Sequence, residues 1–186
     1  MGFGRPLVPP DAEAYLDVAL PRLLGIALSL TGHRQDAEDL VQDCVAKVLV
    51  SWSKVQRATT PDAYVRTIMV NTFLSRRRRR SSSEFVSHDT VTADHRRVTA
   101  SSESQVVERD HLWQVLTKLP PRERAVVVLR YYEDLPDAAI ADILGCSPGA
   151  VRVTAHRAKA KLRTFLEPPP HAVRAGQSGP VAEVRA

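Results

Sequence analysis

Apolar residues recur at three- and four-residue steps in five segments of the chain, and no segment sustains the alternation of a β-strand. The clearest segment spans residues 35–52, where an apolar stripe lies opposite a polar side. The stripe consists of Ala37, Leu40, Val41, Cys44, Val45, Val48, Leu49 and Trp52. The pattern therefore predicts an all-α protein.

Local signals place the first helix between Asp11, as its N-cap, and Thr31, with Gly32 as a left-handed terminating residue. Pro21 lies inside this segment and should kink the helix or split it, because proline lacks the N–H that a helix interior requires. A later helix should begin at Pro61 and run into five consecutive arginines.

The composition changes after the arginines and again near the C-terminus. The residues after the arginines are rich in Ser and Thr and poor in large apolar side chains, which is typical of a flexible linker. The last residues are rich in Pro and Gly, which is typical of a disordered tail. The sequence thus predicts two small helical domains joined by a flexible linker. The predicted divisions are a domain at 1–80, the linker at 81–105, a domain at 106–166 and the tail at 167–186.

Two short helices close the second domain, and they are separated by Gly145-Cys146-Ser147. Gly145 can adopt the left-handed conformation that ends a helix, Ser147 can cap the next helix, and Pro148 suits its first position. The second of these helices has an apolar stripe and no acidic residue from Ser147 to Thr164. This arrangement predicts that the C-terminal domain is a helix-turn-helix.

A basic helix face without carboxylates suits DNA, because the phosphates of a duplex repel acidic side chains. The N-terminal end of the second helix of such a motif enters the major groove. The candidate DNA-binding residues on it are Ser147, Gly149, Arg152, Val153, His156, Arg157, Lys159 and Lys161. The alternative interpretation is a basic amphipathic helix that merely closes a helical bundle.

Charge and cysteine usage narrow the class of function. The 186 residues carry a net charge of +5 and a pI of about 9.6, which favours an anionic partner or simply reflects a basic tail. Cys44 and Cys146 are far apart, with no Cys/His cluster and none of the common catalytic motifs, so we expect no metal, no cofactor and no enzyme activity. The N-terminus lacks the pattern of a signal peptide, and the apolar stretch at 18–30 is shorter than a membrane span requires, which predicts a cytoplasmic protein.

Two charged surfaces in the N-terminal domain each allow two interpretations. The acidic face at residues 38–43 is either a solvated helix face or a docking surface for a basic partner. The arginines at 76–80 are either an electrostatic contact with DNA or a cationic helix end, which the helix dipole favours.

Taken together, these motifs resemble the extracytoplasmic-function sigma factors of bacterial RNA polymerase, which belong to the sigma-70 family. Asp36–Gln42 resembles the polymerase-binding signature of their region 2, and Tyr64–Arg80 resembles the helix that reads the −10 element. Leu119–Arg124 and Ile140–Arg163 are similar to region 4, which binds the −35 element. The resemblance covers about residues 11–166, which is nearly all of the predicted helical sequence. The order and spacing of the motifs make it specific.

The resemblance implies a non-enzymatic subunit that directs promoter-specific transcription initiation and helps to melt the −10 region. One implied partner is core RNA polymerase, which would be bound through the clamp helices of its largest subunit and through its flap. Another is promoter DNA, which would be duplex at −35 and melted at −10. An anti-sigma protein is a further candidate partner. The residues implied to bind core polymerase are Glu38, Asp39, Gln42 and Asp43. Those implied to bind the −10 element are Arg57, Arg66, Asn71, Arg76, Arg77, Arg78, Arg79 and Arg80, with a loop at 53–59 holding a flipped base.

Both helices of the motif depart from the family pattern. Ala139 stands where an acid is usual, Ala150 where threonine is usual, and Arg152 where lysine is usual, and Val153 begins a less polar run. These departures leave the −35 bases unpredicted. A stand-alone helix-turn-helix regulator is the alternative function, and it would bind a duplex site without polymerase.

Overall fold

The computed structural model describes residues 8–83 and 112–166, and every regular element in those two ranges is helical. The predicted all-α class with a C-terminal helix-turn-helix is confirmed. Residues 84–105 of the predicted linker and the predicted tail at 167–186 lie outside the described residues, so the domain boundaries remain predictions. The helices are α1 (Pro10–Thr31), α2 (Arg34–Val50), α3 (Trp52–Arg57), α4 (Pro61–Ser83), α5 (112–117), α6 (Pro121–Val127) with a π-helical turn (Val128–Tyr132), α7 (Asp137–Leu144) and α8 (Pro148–Leu166).

The N-terminal helices pack α1 against α2 and α2 against α4. Their apolar stripes meet in a core with almost no solvent exposure, as the periodicity predicts. The core residues include Leu16, Leu23, Ile26, Leu30, Leu40, Cys44, Val48, Val65, Met69 and Phe73. Burial therefore stabilises these helices more than local propensity does.

α1 differs from the prediction in two respects. Pro21 neither splits nor ends it, and the helix is continuous over 22 residues. Pro21 and Asp17 both lie on the exposed face, where water can bind the Asp17 carbonyl that loses its partner. Asp11 is not the N-cap, since Pro9 occupies that position and the Asp11 carboxylate instead accepts hydrogen bonds from side chains of α3.

The predicted second helix is also shorter than expected. It ends at Val50, and Trp52 begins the separate helix α3. The turn at Ser51 directs Trp52 back toward α1, where its indole N–H donates to Asp11 over 3.0 Å. The segment predicted as a loop at 53–59 is therefore helical up to Arg57.

The helix-turn-helix follows the predicted pattern closely. Gly145 has a φ of 59°, the left-handed conformation that ends α7, and the Ser147 hydroxyl accepts a hydrogen bond from the Ala150 N–H at 3.2 Å. Val151, Ala155 and Ala158 form the buried side of α8. On α7 the buried residues are Ile140, Ala141, Ile143 and Leu144. Ala138 of the same helix is exposed.

The two groups of helices contact each other, because α1 and α4 pack against α6, α7 and the π-helical turn. The buried apolar residues of both groups form one hydrophobic cluster. α1 is long and apolar enough, by length and composition alone, to cross a membrane, which corrects the expectation from the sequence. Its 18-residue apolar window is 39% buried in the fold, and core helices of soluble proteins pass the same test, so this is weak evidence for a span.

Candidate nucleic-acid interface

The exposed face of α8 carries the predicted basic side chains. Arg152 has a side chain that is 65% exposed, and one guanidinium nitrogen lies 3.9 Å from the Asp137 carboxylate of α7. Asp137 is also 3.3 Å from Arg130, so α7 supplies one carboxylate beside this end of α8. Val153 is 51% exposed and next to Arg152. The N-terminal half of α8 thus presents a cation and an apolar side chain together.

The C-terminal half of the same face is also basic, but one of its lysines is paired with a carboxylate of the same chain. His156, Arg157 and Lys159 are exposed. Lys161 instead donates to Glu123 of α6 at 2.8 Å. Lys161 therefore joins α8 to α6. The prediction that Lys161 binds DNA did not include this contact.

The predicted polymerase-binding residues and the predicted −10 arginines meet at one place. Arg76 of α4 forms a 2.6 Å ion pair with Asp43 of α2, and it donates to the backbone carbonyl of Asp39 at 3.1 Å. Glu38 pairs with Arg34 one turn earlier on α2, at 2.8 Å. Gln42 is exposed. α2 and α4 therefore form one continuous surface from an acidic face to a basic one.

The remaining arginines of α4 differ in their surroundings. Arg77 lies over the Phe73 ring, 5.9 Å from its centroid, whereas Arg78 and Arg79 are exposed. Asn71 is exposed on the same helix, and Arg57 is exposed at the end of α3. The Arg80 side chain lies outside the described part of the chain. Arg57 therefore lies beside the short connection between α3 and α4, whereas the arginines lie toward the opposite end of α4.

Arg66 is placed differently from the other predicted −10 residues. It is buried, and its guanidinium forms a 2.7 Å ion pair with Glu133, which follows the π-helical turn. Arg66 is thus covered by the C-terminal group of helices and absent from the exposed basic surface.

Sequence reasoning missed Glu133 and Arg124, the two charged residues that the C-terminal helices bury against the N-terminal ones. Arg124 donates to the carbonyl of Leu30 at 2.7 Å and to those of Thr117 and Leu119. Burial lowers the pKa of Arg124 to about 10, with a smaller contribution from Arg77, so the guanidinium is charged at neutral pH. The only sequence signal was an arginine at an apolar position of α6, which periodicity cannot interpret.

A cluster beside α3 was also missed. The Tyr15 hydroxyl donates to Asp62 at 2.7 Å, and the Tyr15 and Trp52 rings lie 5.6 Å apart. Burial and the hydrogen bond to Asp62 raise the pKa of Tyr15. These contacts, with those of Asp11, fix α3 and the start of α4 against α1. They position the connection where the resemblance implies that a base is held.

The described residues contain no group of three or more His, Cys, Asp or Glu side chains that could hold a metal ion. Cys44 is buried, and burial raises the pKa of its thiol to about 12, so it remains protonated at neutral pH. It packs as an apolar side chain.

A helix-turn-helix with an exposed basic face, packed beside a helix that ends in arginines, defines a class of DNA-binding proteins. Two family models match the chain, sigma-70 region 2 over residues 17–83 and sigma-70 region 4 over residues 109–162. The chain belongs to the sigma-70 family of RNA polymerase sigma factors, in its extracytoplasmic-function group, and it functions in promoter-specific transcription initiation.

Relatives and solved structures agree with this assignment. The RNA polymerase sigma-E factor of Streptomyces avermitilis is 34% identical over 157 residues, covering 84% of this chain and 86% of the relative. An ECF RNA polymerase sigma factor, SigE of Mycolicibacterium smegmatis, is 32% identical over 151 residues, covering 78% of this chain and 57% of the relative. The structure of the sigma factor RpoE in complex with the anti-sigma factor NepR from Bartonella quintana aligns with a TM-score of 0.63 and 27% identity, covering 85% of this chain and 98% of that one.

Proposed function

We propose that this sigma factor uses three surfaces at a promoter, and that it acts in the cytoplasm as an initiation subunit without catalytic activity of its own. The exposed face of α8 contacts the −35 duplex, the arginine end of α4 contacts the −10 element, and the polar face of α2 binds core polymerase. The observation that carries the proposal is the α8 face, where Arg152, His156, Arg157 and Lys159 are exposed on a helix without acidic residues. The stand-alone regulator is not favoured, because the family match includes the polymerase-binding region.

At the −35 element, the side chains at the start of α8 are the ones that would reach base edges. Arg152 can donate two hydrogen bonds to a guanine, and the exposed Val153 side chain can contact a thymine methyl group. Ser147 and Gly149 would approach a flanking phosphate, while Arg157, Lys159 and Lys161 would contact the backbone. Lys161 would do so only after it leaves Glu123.

At the −10 element, the exposed Asn71 and the arginines from Arg76 to Arg79 would contact the melted strand or the adjacent duplex. The connection at 58–60 would hold a base that leaves the stack, since an unstacked base needs a pocket or a stacking partner. Arg57 at the end of α3 would contact the nearby phosphate. Arg66 would join them only when the C-terminal helices move away from it.

An anti-sigma protein is a further proposed partner, because the Bartonella quintana sigma factor that aligns with this chain was solved in complex with one. A partner that covers the α2 and α4 surfaces would compete with both polymerase and the −10 element.

Transcription in vitro with core RNA polymerase and a promoter library tests the proposal directly. The purified chain should direct initiation from a defined set of promoters, and the selected sequences should reveal the −35 and −10 bases. Promoter binding by the holoenzyme should weaken steeply as salt rises, because phosphate contacts release counterions. The proposal fails if core enzyme neither binds the chain nor gains promoter-dependent transcription.

Arg152→Ala should weaken binding to the selected −35 element by about 1–3 kcal/mol and relax the preference at one base position. The fold should be retained, because Arg152 is exposed and its 3.9 Å pairing with Asp137 is a surface contact of little energetic value. Arg163→Ala is the matched control, since it removes an exposed arginine from the far end of the same helix. Equal effects of the two substitutions on base preference would contradict the assignment.

A further inference from the structure

Three charged side chains from different parts of the chain meet where the two groups of helices touch. The Glu133 carboxylate is 2% exposed, and it accepts hydrogen bonds from Arg22 of α1 at 2.8 Å and from Arg66 of α4 at 2.7 Å. Arg66 is itself 10% exposed, whereas Arg22 is 51% exposed and opens the site to solvent. The hydrogen bond to Glu133 raises the pKa of Arg22.

The neighbouring contacts show that this cluster lies between the N-terminal helices α1–α4 and the C-terminal helices α5–α8. These two groups are called the halves below, and the interface between them is called the seam. Next to Glu133, the Tyr132 hydroxyl lies so close to Gly25 of α1 that a Cβ there would come within 2.2 Å of it. A groove of about 190 Å³ runs from the cluster along α1 and α4, lined by Tyr15, Val18 and Asp62 among others. The C-terminal group of helices therefore places one carboxylate at the end of a groove in the N-terminal group.

A pair of arginines that converges on one carboxylate is a general oxyanion site. Without Glu133, Arg22 and Arg66 would direct several N–H donors at the same point, and a nucleic-acid phosphate can accept hydrogen bonds from them as a carboxylate does. The exposed Asp62 carboxylate, 3.9 Å from Arg22, would remain beside this site. A buried ion pair adds little net stability, because desolvation offsets the attraction between the charges. The cluster therefore contributes little to the free energy of unfolding, and its main effect is to select one arrangement of the two halves.

We propose that Arg22 and Arg66 form a phosphate-binding site for the promoter strand, and that Glu133 occupies this site in cis while the two halves are packed together. The proposal rests on the function proposed above, which assigns Arg66 to the −10 element. In the packed form the Glu133 carboxylate excludes DNA from the arginines, and separation of the halves exposes both of them. The same two residues thus couple the arrangement of the halves to the binding of single-stranded DNA.

Binding of a fluorescent single-stranded oligonucleotide to the full chain, without polymerase, tests the competition. Glu133→Gln removes the charge at nearly constant shape and should raise the affinity roughly fivefold to tenfold, the range expected when a competing closed state is weakened. Glu13→Gln is the control for the loss of one negative charge, because Glu13 is an exposed carboxylate in the first turn of α1. It should leave the affinity unchanged.

Two further variants separate the site from general loosening of the fold. Adding Arg66→Ala to Glu133→Gln should abolish the gain in affinity, because the phosphate then loses its buried donor. Gly25→Leu inserts a side chain against the Tyr132 hydroxyl without altering any charge, and if the halves separate to make room for it, affinity should also rise. Ala14→Leu, at an exposed position of the same helix, is its control.

The separation itself is measured in a Cys146→Ser background by energy transfer between dyes on introduced Ala46→Cys and Gln114→Cys, both at exposed positions, whereas the buried Cys44 should not react. Lower transfer in Glu133→Gln and Gly25→Leu, together with higher oligonucleotide affinity, supports the proposal. Separation without a gain in affinity would overturn it, as would a gain that survives Arg66→Ala. If instead polymerase-dependent transcription itself fails in the unmodified chain, the underlying function is wrong, and that result does not depend on these variants.

Discussion

Replacing Arg124 with methionine should lower the free energy of unfolding by about 3 kcal/mol, because several buried carbonyl groups would lose their hydrogen-bond donor at once. Arg124 is 3% exposed and donates to the carbonyls of Leu30, Thr117 and Leu119, which belong to both halves of the chain. Its guanidinium carbon also lies 5.8 Å from the centroid of the Phe73 ring. Methionine fills a similar length but offers none of these donors.

The measurement is denaturant unfolding followed by circular dichroism, with Arg122→Met as the graded control. Arg122 lies on the same helix, is exposed, and donates to the single carbonyl of Leu144 at 3.0 Å. Its replacement should therefore cost about 1 kcal/mol or less. Equal losses for the two variants would show that the carbonyl contacts of Arg124 contribute little.

Features governed by short-range chemistry were predictable from the sequence. The turn between α7 and α8 needs a left-handed residue and then a cap, and Gly145 and Ser147 supply them in the expected places. The apolar stripes of α2 and α8 likewise follow from helical periodicity. In each case the determining residues lie within a few positions of one another, so no tertiary contact is needed to interpret them.

The misplaced features share a dependence on partners far away in sequence. Asp11 has the chemistry of an N-cap, but Trp52 and Gln56 of α3 engage its carboxylate. Arg66 has the chemistry of a DNA contact, but Glu133, 67 residues later, covers it. Periodicity assigns a side chain to a polar or an apolar face and cannot identify which charged group meets it there. The ion pairs across the seam could therefore be identified only from the structure.

The continuity of the α2 and α4 surfaces is also a tertiary result. Asp43 and Arg76 were assigned to different partners on sequence grounds, yet they form a 2.6 Å ion pair. A partner that engages one of these residues alters the surroundings of the other. For that reason a substitution at Asp43 is a poor test of polymerase binding, because it would also release an arginine next to the proposed DNA surface.

The double substitution Asp39→Lys and Gln42→Lys is a cleaner test, and it should weaken binding to core polymerase on the order of a hundredfold, or about 3 kcal/mol. Both side chains lie on the polar side of α2, and only the backbone carbonyl of Asp39, which any residue retains, accepts the hydrogen bond from Arg76. Reversing the charge of a surface that docks on a basic partner turns attraction into repulsion. Promoter-dependent transcription should fall in parallel.

A matched control separates this effect from the added charge itself. Ala14→Lys with Asp17→Lys makes the same change of three positive charges on the exposed face of α1 and should leave polymerase binding near its original value. Binding is measured by fluorescence anisotropy of the labelled chain titrated with core enzyme, and folding by circular dichroism. Loss of helical signal would show that the α2 face is structural, and equal losses of affinity in both double variants would show that polymerase senses total charge. Only a loss confined to the α2 variant, with the fold intact, places the polymerase contact at Asp39 and Gln42.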